Sequence, residues 1–180
     1  MRKVTIDRLI LSPMNYQRLV LLKEDDGERY LPIWIGPAEA DAIAMKLQGV
    51  SVPRPSSHDL LCSVISSLGA DVNSIIINDL KDGIFYGNIV LDTSEGQLEI
   101  DARPSDAMAL AVRVQAPIFA DDVVLNRVGL LIDRESDQAV SKEMPEGESA
   151  SDEELKRLSA YTDFINTLDM DDLGKGKSQD

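Results

Sequence analysis

One cysteine, Cys62, and one histidine, His58, are all that the 180 residues hold of these two residue types. A lone thiol cannot close an internal disulfide, which fits a reducing, cytoplasmic setting. One thiol and one imidazole cannot complete a structural zinc site, and they argue against a Cys-His nucleophile system. Any metal would be held by carboxylates, which favours a hard ion such as magnesium, manganese or calcium. No apolar run is long enough to span a membrane, and the first residues lack a basic-apolar-small leader pattern. Positive charge is also scarce: 18 Lys and Arg stand against 32 Asp and Glu, a net charge of −14. Such a chain repels phosphate backbones unless a local basic patch or a bound cation compensates.

The acidic excess is uneven. Residues 1–135 carry 13 basic against 20 acidic side chains, hence −7, and residues 136–180 carry 5 against 12, hence another −7. That shift sets a boundary near Ser136, leaving 1–135 as one domain with a real core. Residues 136–150 are rich in Ser, Glu, Pro and Gly and read as a linker. Ser151 and Glu154 form a capping box, and Leu155, Leu158, Tyr161, Ile165 and Leu168 mark an acidic amphipathic helix over 151–172. Residues 173–180 read as a disordered tail.

The domain itself reads as α+β, a mixed, antiparallel-rich sheet of about six strands with three main helices. Val4–Leu11, Gln17–Lys23 and Arg29–Ile35 are β-branched or Leu-rich runs, the last two joined by the solvated acidic turn Glu24–Glu28. Helix Pro37–Gln48 buries Ala40, Ile43, Ala44 and Leu47, and Gly49 stops it. Ser56 caps a second helix with Asp59 three positions on, its apolar face being Leu60, Leu61, Val64, Ile65 and Leu68. Val72–Leu80, Gly83–Asp92 and Gly96–Ala102 form a meander through Asp-Gly and Glu-Gly turns. A third helix follows Pro104 and buries Ala107, Leu110, Ala111 and Val114. Ala116–Ala120 is a short buried strand, and Asp121 caps a small helix over Asp122–Arg127.

One unit occurs twice. Leu31–Gln48 (LPIWIGPAEADAIAMKLQ) and Leu98–Gln115 (LEIDARPSDAMALAVRVQ) match at Leu31/Leu98, Ile33/Ile100, Pro37/Pro104, Ala40/Ala107, Ala42/Ala109, Ala44/Ala111 and Gln48/Gln115. Each is a strand, a proline at the first helical position, and an acid two residues later, Glu39 or Asp106, facing the positive helix end. Arg54-Pro55-Ser56 echoes Arg103-Pro104-Ser105 just before the helix that bears His58. Asp101, Arg103, Ser105 and Asp106 crowd the later corner. Capping alone accounts for such residues, and so does a site built where free N–H groups converge.

Four stretches together carry a resemblance: Leu31–Val50, Arg54-Pro55-x-x-His58-Asp59-Leu60-Leu61, Asp79-Leu80-x-Asp82-Gly83-x-Phe85-Tyr86, and Ile100–Ala107. This pattern resembles the bifunctional nuclease family over about residues 1–135. The likeness implies one mixed α/β unit, homodimers or larger homo-oligomers, and activity on DNA and RNA. Some relatives add a UvrB/UvrC-like helical motif, which the tail here does not match. Site residues come instead from chemistry, since a phosphodiesterase needs charge neutralisation, an activated water and help for the departing oxygen. Glu39, Asp101 and Asp106 are candidate ligands for magnesium or manganese. His58 is the candidate base, with Asp59, Asp101 and Asp106 beside it as catalytic acids. Arg54, Arg103 and Ser105 are candidate phosphate contacts. Two other classes fit the same residues: a non-catalytic oligomeric scaffold, or a sensor holding an anion at the helix N-termini.

Overall fold

A computed structural model describes residues 1–11, 18–133 and 138–140. The chain divides into two units, Met1–Gly129 and Leu130–Asp180. In chain order the first holds β1 (Arg2–Leu11), β2 (Arg18–Glu24), β3 (Arg29–Ile35), α1 (Pro37–Leu47), α2 (Ser57–Ser67) and β4 (Asp71–Lys81). It continues with β5 (Ile84–Thr93), β6 (Gly96–Ala102), α3 (Pro104–Val114), β7 (Ile118–Ala120) and α4 (Asp122–Val128). The second contains β8 (Leu130–Asp133) paired antiparallel with β9 (Gln138–Val140). β9 falls inside the stretch assigned by composition to a linker. The expected helix over 151–172 and the tail over 173–180 lie outside the described residues.

The fold is mixed α+β, with more strands than six. In the first unit seven are hydrogen-bonded in the order β6-β5-β4-β7-β1-β2-β3. All neighbours run antiparallel except β4 and β7, where Ile75, Ile76 and Ile77 lie parallel to Ile118, Phe119 and Ala120. Short β7 thereby joins two antiparallel blocks, pairing on its other edge with Arg2–Val4 of β1. β2 and β3 are buried on both faces, as their unbroken runs Leu19–Leu22 and Tyr30–Ile33 require. α1 packs on β2, and α4 packs on β3 and β4.

α3 is the hub of the helical layer. Ala107, Met108, Ala109, Leu110 and Ala111 are all fully buried or within 1 % of it. Its alanines let α1 and α2 approach closely from their own sides, while its other face meets β4 and β5. This geometry corrects three apolar faces expected from periodicity. In α1 the buried residues are Ala40, Ala42 and Ile43, and Leu47 is 55 % exposed. In α2 only Ile65 is buried, whereas Leu60, Val64 and Leu68 face solvent. Val114 is 40 % exposed at the end of α3. The reason is shared: α2 lies on a narrow alanine-rich helix rather than on a sheet, and the last turns of α1 and α3 carry these side chains past their supports. β6 is the free edge, so Leu98 and Ile100 are exposed although their partners Leu91 and Ile89 on β5 are buried.

Candidate functional site

Three helix N-termini meet. α1 and α3 leave from strands at opposite ends of the seven-strand order, yet they pack together and bring their first turns into contact. Each opens with proline, and neither its Gly36 nor its Arg103 N-cap makes a side-chain capping bond. The acids in their first turns, Glu39 and Asp106, share one cation. Arg103 Nη2 donates to Glu39 Oε1 at 2.8 Å, and Arg103 Nε donates to Asp106 Oδ2 at 2.8 Å. The hydrogen bond and charge of Asp106, with the charge of Glu39, hold the guanidinium protonated beyond its ordinary range.

α2 brings the imidazole. His58 Nε2 stands 3.2 Å from the other Asp106 oxygen, Oδ1, with a His58 side chain 13 % exposed. An ionised carboxylate only accepts, so the neutral ring carries its proton on Nε2 and its lone pair on Nδ1. The result is a chain Glu39–Arg103–Asp106–His58 drawn from three helices. Arg103 is its most open member at 70 % exposure, and its Nη1 donates to no described residue. A planar fork with donors to spare, beside an oriented imidazole, suits an anionic, phosphate-like group.

The remaining candidates fall elsewhere. Asp101 is exposed on β6, in register with Asn88, and makes no bond to Glu39, His58 or Asp106. Ser105 is buried beneath the corner, and Arg54 lies on the exposed connector between α1 and α2. Asp59 belongs to the cap of α2: Oδ2 accepts from Ser56 N at 2.8 Å and from Ser56 Oγ at 2.7 Å. Its Oδ1 accepts from Arg113 Nε at 2.7 Å. Arg113, a cation in the last turn of α3 that no local pattern marks out, has a side chain only 6 % exposed. An open groove of about 570 Å³ lies along the C-terminal half of α2, lined by Cys62, Ser66, Asp71 and Val72. It sits apart from the His58 turn, and burial pushes the Cys62 thiol above its ordinary range.

Among the described residues no group of three or more His, Cys, Asp or Glu side chains is placed to hold a metal ion. Glu39 and Asp106 close on Arg103 instead, and Asp101 does not join them. These three carboxylates therefore do not fit a divalent ion as one ligand set.

The sequence of this fold, from β2 to the end of β8, matches the bifunctional nuclease domain over residues 20–133. The chain belongs to the bifunctional nuclease domain family. An uncharacterized Mycobacterium tuberculosis protein is 40 % identical over 161 residues, covering 89 % of this chain and 90 % of that one. Bifunctional nuclease 1 of Oryza sativa subsp. indica is 23 % identical over 120 residues, 65 % of this chain but 36 % of the rice protein. Bifunctional nuclease 2 of Oryza sativa subsp. japonica is 29 % identical over 104 residues, 56 % of this chain and 32 % of its own length. The chain of this bifunctional nuclease domain protein thus matches about nine-tenths of the mycobacterial relative and about a third of each rice protein. Among its described residues no helix is long and apolar enough to cross a membrane.

Proposed function

We propose that this protein hydrolyses phosphodiester bonds of DNA or RNA at the Glu39–Arg103–Asp106–His58 cluster. The observation that carries the reading is the pairing of His58 Nε2 with Asp106 Oδ1 beside an exposed Arg103. Asp106 orients the ring, leaving Nδ1 to take a proton from an attacking water. The water oxygen bonds to phosphorus, the bond to the departing sugar oxygen breaks, and the imidazolium returns its proton to that oxygen. Arg103 faces the charge that grows on the phosphate oxygens, a role its free donors permit. No step runs through a metal. The magnesium or manganese expected from the carboxylates enters as a variable of the assay.

Two further parts belong to the same reading. A cytoplasmic setting is supported by the single cysteine. A homodimer or larger homo-oligomer is supported by the apolar side chains Leu60, Val64 and Leu68, which the first unit leaves exposed.

The test assays purified protein on single- and double-stranded DNA and RNA, across a magnesium and manganese series and in excess chelator. His58→Ala should lower kcat on the order of 10²- to 10⁴-fold, the usual contribution of a positioned base. Arg103→Ala should raise KM and lower kcat together. Equal trace cleavage by wild type and both variants would assign the activity to a contaminant and the cluster to structure.

A further inference from the structure

We infer that Arg113 is a positioning residue, fixing the first turn of α2 so that His58 meets Asp106. This rests on the proposed role of His58. The need for such a device follows from how loosely α2 is otherwise held. Of its eleven residues only Ile65 is buried, while Leu60, Val64 and the C-cap Leu68 face solvent. The connector leading to it, Val50–Pro55, is exposed throughout. Packing on α3 and β4 and the incoming chain hold the start of this helix only loosely.

Polar contacts do. Asp106 and Arg113 are seven residues apart on α3, two turns or about 10.5 Å along one face. The adjacent residues His58 and Asp59 of α2 reach these two points in turn. His58 bonds Asp106, and Asp59 Oδ1 accepts from Arg113 Nε at 2.7 Å. Arg113 Nη2 also donates to the Ser56 hydroxyl at 3.2 Å, gripping the N-cap as well. Its Nη1 donates to the carbonyl of Ala109 at 2.8 Å on its own helix and to that of Ala42 at 3.3 Å on α1. One buried guanidinium thus touches all three helices whose N-termini form the cluster. With it, the α2 turn is clamped at two points. Without it, the turn pivots about the His58–Asp106 bond alone.

The geometry demands arginine. A lysine ammonium is a point charge at the end of its stem and cannot span Asp59, Ser56 and two carbonyls together. Arg113→Lys keeps the charge and loses the fork, so it separates positioning from electrostatics. Asp59→Asn loosens the same clamp from its more open side, where the side chain is 35 % exposed, and leaves Arg113 itself in place.

Two readouts are taken on full-length wild type and both variants, with folding checked by circular dichroism and thermal melts. Because the chain has a single histidine, its carbethoxylation by diethyl pyrocarbonate reports His58 alone. The first readout is that rate, and the second is the steady-state kinetics of nucleic-acid cleavage. Expected are faster modification of His58 in both variants and a fall in kcat on the order of 100-fold with KM little changed, as for a misplaced catalytic group. Wild-type kcat with unchanged protection of His58 in folded Arg113→Lys would overturn the inference. If that variant does not fold, the same result in Asp59→Asn overturns it. Should the wild type cleave nothing, the proposed function fails by itself, and the modification rates still decide the clamp.

Discussion

Replacing Asp59 with asparagine should destabilise the fold by about 2–3 kcal/mol at neutral pH, and acid should narrow that gap. The carboxylate accepts three hydrogen bonds, two from Ser56 and one from Arg113. The Ser56 hydroxyl, then its backbone N–H, then Arg113 together lower its pKa from 3.8 to about 2 against the opposing effect of burial. That drop, 3.8 minus about 2, is about 1.8 units. At about 1.36 kcal/mol per unit it amounts to about 2.4 kcal/mol before screening. With the side chain 35 % exposed, solvent takes roughly half of that and leaves about 1 kcal/mol. The remainder of the neutral-pH loss comes from Arg113, which is buried and would keep its charge without a counter-ion, at about 1–2 kcal/mol.

The sign follows from the direction of the shift. A depressed carboxylate pKa stabilises fully above the unfolded value near 3.8 and stops doing so as pH falls toward about 2. Wild type should therefore lose about 1 kcal/mol between pH 5 and pH 2 that Asp59→Asn does not lose. The other lowered acids, Glu24, Asp25, Asp79, Asp92 and Asp122, titrate in both proteins and cancel in the difference. The single tryptophan, Trp34 on β3, reports unfolding of the first unit by fluorescence. Urea midpoints at a series of pH values between neutral and about 2.5 give the two stability curves. Parallel curves would refute the clamp energetics, as would an asparagine variant as stable as wild type at neutral pH.

The other expectations concern packing. The Glu24 side chain is 7 % exposed and takes a two-pronged bond from Arg29, at 2.8 and 2.9 Å, while Arg29 also reaches Asn126 on α4. Glu24→Gln should cost about 3 kcal/mol, as breaking a buried pair does. Cleavage per folded molecule should not change, because β3 separates this pair from α1 by about 20 Å of strand; a fall in kcat at constant folded fraction would contradict that. In the dissociated monomer Ile65→Ala should cost about 2–4 kcal/mol and Leu68→Ala under about 0.5. Equal losses in urea melts of the monomer would mean that its own fold covers Leu68.

Much of the fold is written in local pattern. The hairpin turns, the Ser56–Asp59 capping box and the two proline-led helices are set by residues within a few positions of one another, so the sequence displays them directly. Strand order is another matter. That β7 lies parallel to β4, and that β6 and β3 stand at opposite ends of the first unit's seven strands, depends on contacts many residues apart for which no local signature exists. The exposed stripe on α2 shows the limit of periodicity. Spacing identifies which side chains share a face, but only the neighbour decides how much of that face is covered. Glu24 and Arg113 escaped for a related reason: each looks like an ordinary charge in a turn or a last helical turn, and its burial is decided by an element elsewhere in the chain.

The repeated elbow shows how an internal likeness can mislead about charge. In sequence its two acids, Glu39 and Asp106, look like ligands for a shared metal ion, since both copies place an acid two residues beyond proline. The copies differ, however, at the residue before that proline, which is Gly36 in one and Arg103 in the other. A Cβ built on Gly36 would come within 2.3 Å of a Glu39 carboxylate oxygen, so glycine leaves that acid its room. In the second copy the same position supplies the guanidinium that both acids share. One elbow makes space and the other fills it. An exact duplicate would give either two arginines competing for one gap or two carboxylates facing each other uncompensated. The asymmetry at this single position is thus what turns two structural helix starts into one charged cluster with an exposed guanidinium.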